Sequence, residues 1–223
     1  LQQTTTSMSD TLRFDAAALT HPGWRYPDNQ DAVLLDGRIW QTPMLRRSQG
    51  RSRLLVAVAD GVAFAPCADR ASRLALQLLH ADVQTHGQLD AAALRRIQRA
   101  ASQQVIGTRC AGMATTLAAL DLSPTGARIV SVGDSRVYRL RDGVLQQLTI
   151  DHTLAHRLLT QGELSPAELA TAGSLYDNLD SCLISTESES DFDVFSGDYE
   201  LQAGDVWLCC TDGITQALSD AAL

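Results

Sequence analysis

Three aspartates each close an apolar run: Asp60 follows LLVAVA, Asp134 follows RIVSVG and Asp212 follows VWLCCT. Runs of this kind read as buried strands. A carboxylate at a strand mouth must be solvated, paired or metal-bound, because burying it alone costs several kcal/mol. Carboxylates gathered by a sheet suit hard divalent cations, which take oxygen ligands. Such ions activate water and polarise phosphoryl oxygens, so the pattern points to metal-dependent phosphoryl-transfer chemistry. A plainer reading stays open, because Asp-Gly is a common turn. The pair occurs at Asp36-Gly37, Asp60-Gly61, Asp142-Gly143 and Asp212-Gly213. The first and third separate short apolar runs, as two-residue hairpins do. The other two lead into helical stretches.

The elements that must position these groups can be read in order. Strands are expected over 13–20, 32–40 and 54–59. A helix is predicted over 68–86 from the three-four spacing of Ala71, Leu74, Ala75, Leu78 and Ala81. A second helix starts at the cap Asp90 and carries Leu94, Ile97, Ala101 and Val105. Strands return over 115–120, 127–132, 137–141 and 144–148, followed by a helix over 153–161 stopped by Gly162. Ser165-Pro166-Ala167-Glu168 is a helix start with a capping box. Residues 173–200 read as a flap or irregular loop with one short strand near Cys182–Ser185, and Val206–Cys210 is the last strand. Hairpin-connected strands with two consecutive helices between them predict an α+β fold with largely antiparallel sheets.

The chain has 223 residues, enough for one sizeable domain. The expected layout is a flexible leader over 1–11 and a single domain over 12–223. A formal charge of −8 argues against nucleic acid or an anionic membrane as partner. No apolar run is long enough to span a bilayer, and no segment resembles a signal peptide. The five cysteines, Cys67, Cys110, Cys182, Cys209 and Cys210, show no C-x-x-C spacing. They are read as reduced thiols in a cytoplasmic protein, with Cys67 the accessible one.

Five segments resemble the motifs of the metal-dependent protein phosphatases, the PPM family of Ser/Thr phosphatases. They are NQDAVLL at 29–35, VADG at 58–61, GMATTLAAL at 112–120, VGDSRVYRLRDGVLQQLTIDHTL at 132–154 and LCCTDGITQALSD at 208–220. The resemblance implies a four-layer α-β-β-α sandwich of two mainly antiparallel sheets flanked by helices, with metals at one end. It implies two or three Mn²⁺ or Mg²⁺ ions. Asp60 would bridge two of them, with the Gly61 carbonyl on one and Asp212 on the other. Asp31 would hold a metal-bound water, Asp134 would join Asp212 at a third ion, and Arg25 would grip the substrate phosphate. It further implies water attack on phosphoserine or phosphothreonine of a protein substrate, with no phosphoenzyme, in opposition to a Ser/Thr kinase.

Three departures qualify that expectation. Gln30 stands where many relatives carry glutamate, and an amide brings no charge to a metal water. Val62-Ala63-Phe64-Ala65-Pro66-Cys67 replaces the usual Gly-Gly-His run; this variant loop resembles phosphatases associated with bacterial type VI secretion. The closing Gly-x-x-Asp-Asn motif does not occur before Leu223, so the domain is expected to be truncated short of its C-terminal strand. Two other functions compete: a degenerate phosphatase domain that binds phosphoproteins or regulates a partner, and a hydrolase of another phosphoester such as a nucleotide. His152 and His156 could pair on zinc but are read as structural. Asp151 is expected to pair or cap a helix, and Arg95, Arg96 and Arg99 to form a solvated helix face.

Overall fold

The computed structural model describes residues 12–23, 27–172, 176, 178–186 and 191–223. The expected leader, together with Trp24, Arg25 and Tyr26, lies outside the described residues. The chain opens with strands β1 (Phe14–Thr20), β2 (Asp31–Leu35), β3 (Arg38–Trp40), β4 (Met44–Arg51) and β5 (Leu54–Asp60). Helices α1 (Ala68–His86) and α2 (Ala91–Val105) follow, then β6 (Ala114–Thr115), β7 (Leu117–Ser123), β8 (Gly126–Val132), β9 (Arg136–Arg141) and β10 (Val144–Gln147). Helices α3 (Leu154–Gln161) and α4 (Pro166–Ala172) precede β11 (Leu183–Ile184), β12 (Phe195–Tyr199), β13 (Val206–Cys210) and the single turn α5 (Asp212–Thr215).

The main sheet has six strands in the order β12-β8-β7-β5-β2-β3, and all its pairings are antiparallel. A three-stranded sheet, β10-β9-β13, and a ribbon of β1 and β4 lie apart from it in hydrogen bonding. The main sheet is covered on both faces, which explains why its central strands are almost wholly apolar. In β7, Leu117 and Ala119 face a core shared with Leu76, Leu79 and Val83 of α1 and Leu94 and Ile97 of α2. The alternate residues Ala118, Leu120 and Leu122 face a second core with Val137 and Trp207 of the smaller sheet, Leu148 just after β10 and Met44 of the ribbon. Each fully buried leucine contributes roughly 1.5–3 kcal/mol, so two such layers suffice to fix the strand register. Helix α3 buries only Ala155 and α4 buries no residue, so the second helical layer adds little to the core.

Local signals resolve as chemistry predicts. Asp36-Gly37 and Asp142-Gly143 are hairpin turns with positive φ at both residues. Asp90 caps α2 by accepting from the Ala93 amide at 2.7 Å. The Ser165 amide donates to Glu168 Oε2 at 2.8 Å, and the Glu168 amide returns to Ser165 Oγ at 3.3 Å, completing the capping box.

Several expectations need correction. Cys67 and Cys110 are joined by a disulfide, with Cα atoms 5.5 Å apart across a separation of 43 residues. The five cysteines are therefore not all reduced, Cys67 is not an accessible thiol, and the thiol argument for a cytoplasmic location loses its support. Sequence spacing cannot report that two distant loops lie side by side. Among the described residues Cys182, Cys209 and Cys210 are free, and burial pushes the Cys182 and Cys210 thiols up to about 11. Strands β4 and β12 were not foreseen. In β4 only Met44 and Ser48 are buried, so no apolar alternation marks it. In β12, within the expected flap, Phe195, Gly197 and Tyr199 alternate inward against β8, but Gly and Asp dilute the signal. Arg96 is not simply solvated: its guanidinium binds both oxygens of Asp82 at 2.6 and 2.7 Å, tying α2 to α1.

Candidate metal centre

Strand register brings the first two carboxylates together. Asp31 opens β2, Asp60 closes β5, and the two residues are antiparallel partners. The Gly61 amide donates to the Gln30 carbonyl at 3.0 Å, which extends the pairing past the strand end. Gly61 also lies against the start of α1: a Cβ there would meet the Ala68 carbonyl oxygen at 2.0 Å, so only glycine fits.

Hydroxyl groups from neighbouring strands hold this end in place. The Asp60 amide donates to Thr116 Oγ1 at 3.1 Å, and the Asp60 carbonyl accepts from the Thr116 amide at 2.9 Å and from Thr115 Oγ1 at 2.8 Å. Thr116 Oγ1 also shares a buried 2.7 Å hydrogen bond with Ser135 Oγ, beside Asp134. The turn carrying Asp134 needs Gly133, where φ is +91° and a Cβ would lie 2.6 Å from Thr116 Cγ2. The Gly133 amide donates to His152 Nδ1 at 3.1 Å, so His152 positions this turn, as its structural reading expected. Asp151 accepts from Arg136 at 2.5–3.0 Å, as expected of a pairing residue. Thr211 Oγ1 donates to Asp31 Oδ2 at 3.0 Å and so links the start of α5 to β2, while Gln216 Nε2 donates to Asp212 Oδ2 at 2.6 Å. Asn29 fixes the approach to Asp31: its Oδ1 accepts from the Asp31 amide at 3.1 Å, and its Nδ2 donates to Thr20 and Gln41.

The four aspartates share one electrostatic site. Asp60 is pushed up to about 10, first by burial and then by the charges of Asp31, Asp212 and Asp134. Asp134 is pushed up to about 6 by burial and by Asp212. Asp31 is also raised, by burial and by Asp212, against the lowering effect of the Thr211 hydrogen bond. Asp60 and Asp212 are thus neighbours rather than residents of opposite ends of the molecule. Among the described residues no three His, Cys, Asp or Glu side chains are placed so that they could hold a metal ion together. The carboxylates form an open cluster whose members raise one another's affinity for protons. That donor set fits Mg²⁺ or Mn²⁺, which favour carboxylate and carbonyl oxygens and retain several waters.

Asp31, Asp60, Gly61, Asp134 and Asp212 are therefore brought together, while Arg25 lies outside the described residues. The positioning hydroxyls of Thr115, Thr116, Ser135 and Thr211 were not singled out from sequence. Their signal was present: a polar pair, Thr115-Thr116, interrupts an apolar stretch, and a buried hydroxyl there requires a partner.

A doubly covered antiparallel sheet with aspartates from several strands at one end defines an α+β domain that presents a carboxylate site. A family model for protein phosphatase 2C matches residues 29–222, and the chain belongs to that family, the PPM phosphatases. The chain is 33% identical over 219 residues to the serine/threonine protein phosphatase PstP of Mycobacterium tuberculosis, covering 96% of the chain but 38% of that relative's length. It is 30% identical to the serine/threonine phosphatase stp of Listeria innocua, over 76% of the chain and 69% of the relative. The crystal structure of the PstP catalytic domain in complex with two manganese ions superposes with a TM-score of 0.63 at 28% identity, covering 93% of the chain and 81% of that structure. The structure of PppA, a regulatory component of type VI secretion in Pseudomonas aeruginosa, shares the fold at 21% identity with a TM-score of 0.62, covering 93% of the chain and 80% of that structure.

Proposed function

We propose that this chain hydrolyses phosphoserine and phosphothreonine in proteins with the help of Mn²⁺ or Mg²⁺. The observation that carries the reading is the convergence of aspartates at one end of the sheet, with Asp31 opposite Asp60 in register and the Thr211-Asp212 segment hydrogen-bonded to Asp31. Such a cluster holds protons until divalent cations replace them. Asp60, the Gly61 carbonyl and Asp212 would hold two ions, and Asp134 with Asp212 a third. When bound, the ions would supply a water nucleophile near neutral pH and neutralise charge on the phosphoryl oxygens.

The chain's own groups do the positioning. Thr115 and Thr116 fix the Asp60 backbone, and Thr211 fixes one Asp31 oxygen, which holds the Asp31 carboxyl against that of Asp60. The new P–O bond forms from water while the bond to the Ser or Thr oxygen breaks, and that oxygen leaves with a proton. Val62 has no proton to give, so protonation of the leaving oxygen falls to solvent. Arg25 is assigned the phosphate oxygens on the motif alone.

The partner in this reading is a phosphoprotein made by a Ser/Thr kinase; its narrowest form is control of type VI secretion, suggested by the 62–67 loop. The degenerate-module alternative rests on Gln30, which brings no charge to the site. Hydrolysis of p-nitrophenyl phosphate and of a phosphothreonine peptide with added Mn²⁺ separates the two. Turnover by the wild type that is lost in Asp60→Asn and Asp212→Asn supports the enzyme. Phosphopeptide binding without turnover favours the module.

A further inference from the structure

The chain carries a second charged feature remote from the carboxylates. A cavity of about 540 Å³ opens beside β3 and β4, lined by Arg38, Trp40, Arg46, Arg47, Arg51 and Asp36. Four arginines and one aspartate line it. Asp36 is already taken, since Arg51 forms an ion pair with it. Arg46 donates only to the Leu45 carbonyl. Among the described residues Arg38, Arg46 and Arg47 have no carboxylate partner. Elsewhere Arg53, Arg128, Arg136 and Arg141 pair with Asp121, Asp198, Asp151 and Asp205 within 2.7 Å, and the other arginines without a carboxylate partner among the described residues, such as Arg73 and Arg109, do not line this cavity. In a chain with 26 acidic residues and 18 basic ones, a cluster of unpaired guanidiniums runs against the overall balance.

The position of the cavity suggests its ligand. Strand β3 ends the main sheet, so it presents a free backbone edge. Trp40 pairs with Val33, two residues from Asp31 along β2, or about 7 Å at strand spacing. From there the cavity extends to Asp36 and Arg51 at the opposite end of β2. An extended peptide advances roughly 3.3 Å per residue, so residues a few places from one bound at Asp31 would reach Trp40 and then the arginines. Guanidinium forks bind carboxylates and phosphates in paired hydrogen bonds. Trp40 supplies an aromatic wall for side-chain stems. A positive groove also offsets the repulsion that an acidic chain exerts on an acidic substrate.

We propose that this groove docks an acidic segment of the phosphoprotein flanking the phosphorylated residue. The proposal rests on the phosphatase reading and deepens it to a substrate class.

The test compares wild type with the exposed double variant Arg46→Glu/Arg47→Glu, with circular dichroism confirming the fold. Three substrates are assayed with Mn²⁺: p-nitrophenyl phosphate, a phosphothreonine peptide flanked by Glu and Asp, and the same peptide with neutral flanks. The expected result is an increase of about tenfold in KM for the acidic peptide alone, with kcat unchanged and the difference shrinking as salt rises. Equal effects on both peptides, or none on the acidic one, overturn the proposal. If the wild type turns over no substrate, the phosphatase reading fails; fluorescence anisotropy of the labelled acidic peptide then tests the groove separately. Binding that survives the double variant, or that pyrophosphate abolishes at far lower concentration than free acidic peptide, also overturns it, the latter by marking a small-anion site.

Discussion

At the scale of single residues, the unusual quantity is the elevation of Asp60 to about 10 and of Asp134 to about 6, from 3.8. Both bind protons more tightly folded than unfolded, so the folded state without metal holds more protons above pH 3.8. The contribution of these two groups to stability is therefore greatest in acid and falls as pH rises, most steeply between about 4 and 6, where both act, and more slowly to about 10. Denaturant melts of metal-free protein across this range should show that decline, and Asp60→Asn should flatten it while raising stability at neutral pH. The same pH dependence in wild type and Asp60→Asn would mean that the carboxylates do not repel one another. Thr211→Val should lower kcat by about tenfold with little change in Tm, because it frees Asp31 without opening the core. Unchanged kcat would remove Thr211 from the site. The aspartates were legible because a charge ending an apolar run is conspicuous. Of their supporting hydroxyls only the Thr115-Thr116 pair left a signal; Ser135 left none, since it matters only through a contact with Thr116, distant in sequence.

At the scale of elements, periodicity succeeded where one face is buried and failed where it is not. The bounds of helix α1 were legible, and Gly87 ends it at φ +76°, but its buried stripe was read only in part: Ala71, Leu74 and Ala75 are buried, while Ala81 is exposed and the stripe continues through Leu76, Leu79 and Val83. Strand β4 escaped notice because it forms an exposed ribbon with β1, and β12 because glycine and aspartate interrupt it. The disulfide belongs to this scale as well. It joins the loop after Gly61 to the loop before Met113, and the Val62 amide donates to the Ala114 carbonyl at 2.9 Å alongside it. Closing a 43-residue separation should stabilise the fold by up to about 4 kcal/mol. Cys67→Ser/Cys110→Ser should therefore lower Tm by several degrees, and dithiothreitol should produce the same drop in the wild type but none in the variant. Equal melts with and without reductant would show that the bond contributes no stability.

At the scale of the whole molecule, two sheets and two cores serve to hold one end rigid. The main sheet is clamped between helices and a second sheet, so the mouths of β2 and β5 cannot drift apart without breaking both cores. Composition alone placed the protein among acidic globular domains, and among the described residues no helix is long and apolar enough to cross a membrane. The family motifs, rather than charge or spacing, turned an acidic cluster into a specific expectation about phosphate esters. A chain with a formal charge of −8 carries this repulsion at its site, so Mn²⁺ should raise Tm in the wild type and much less in Asp60→Asn. The most direct test is a crystal grown with Mn²⁺ and measured at the manganese absorption edge. The account predicts anomalous peaks within coordination distance of the Asp60 and Asp212 carboxylates. Manganese bound elsewhere, with those two carboxylates left unliganded, would contradict it.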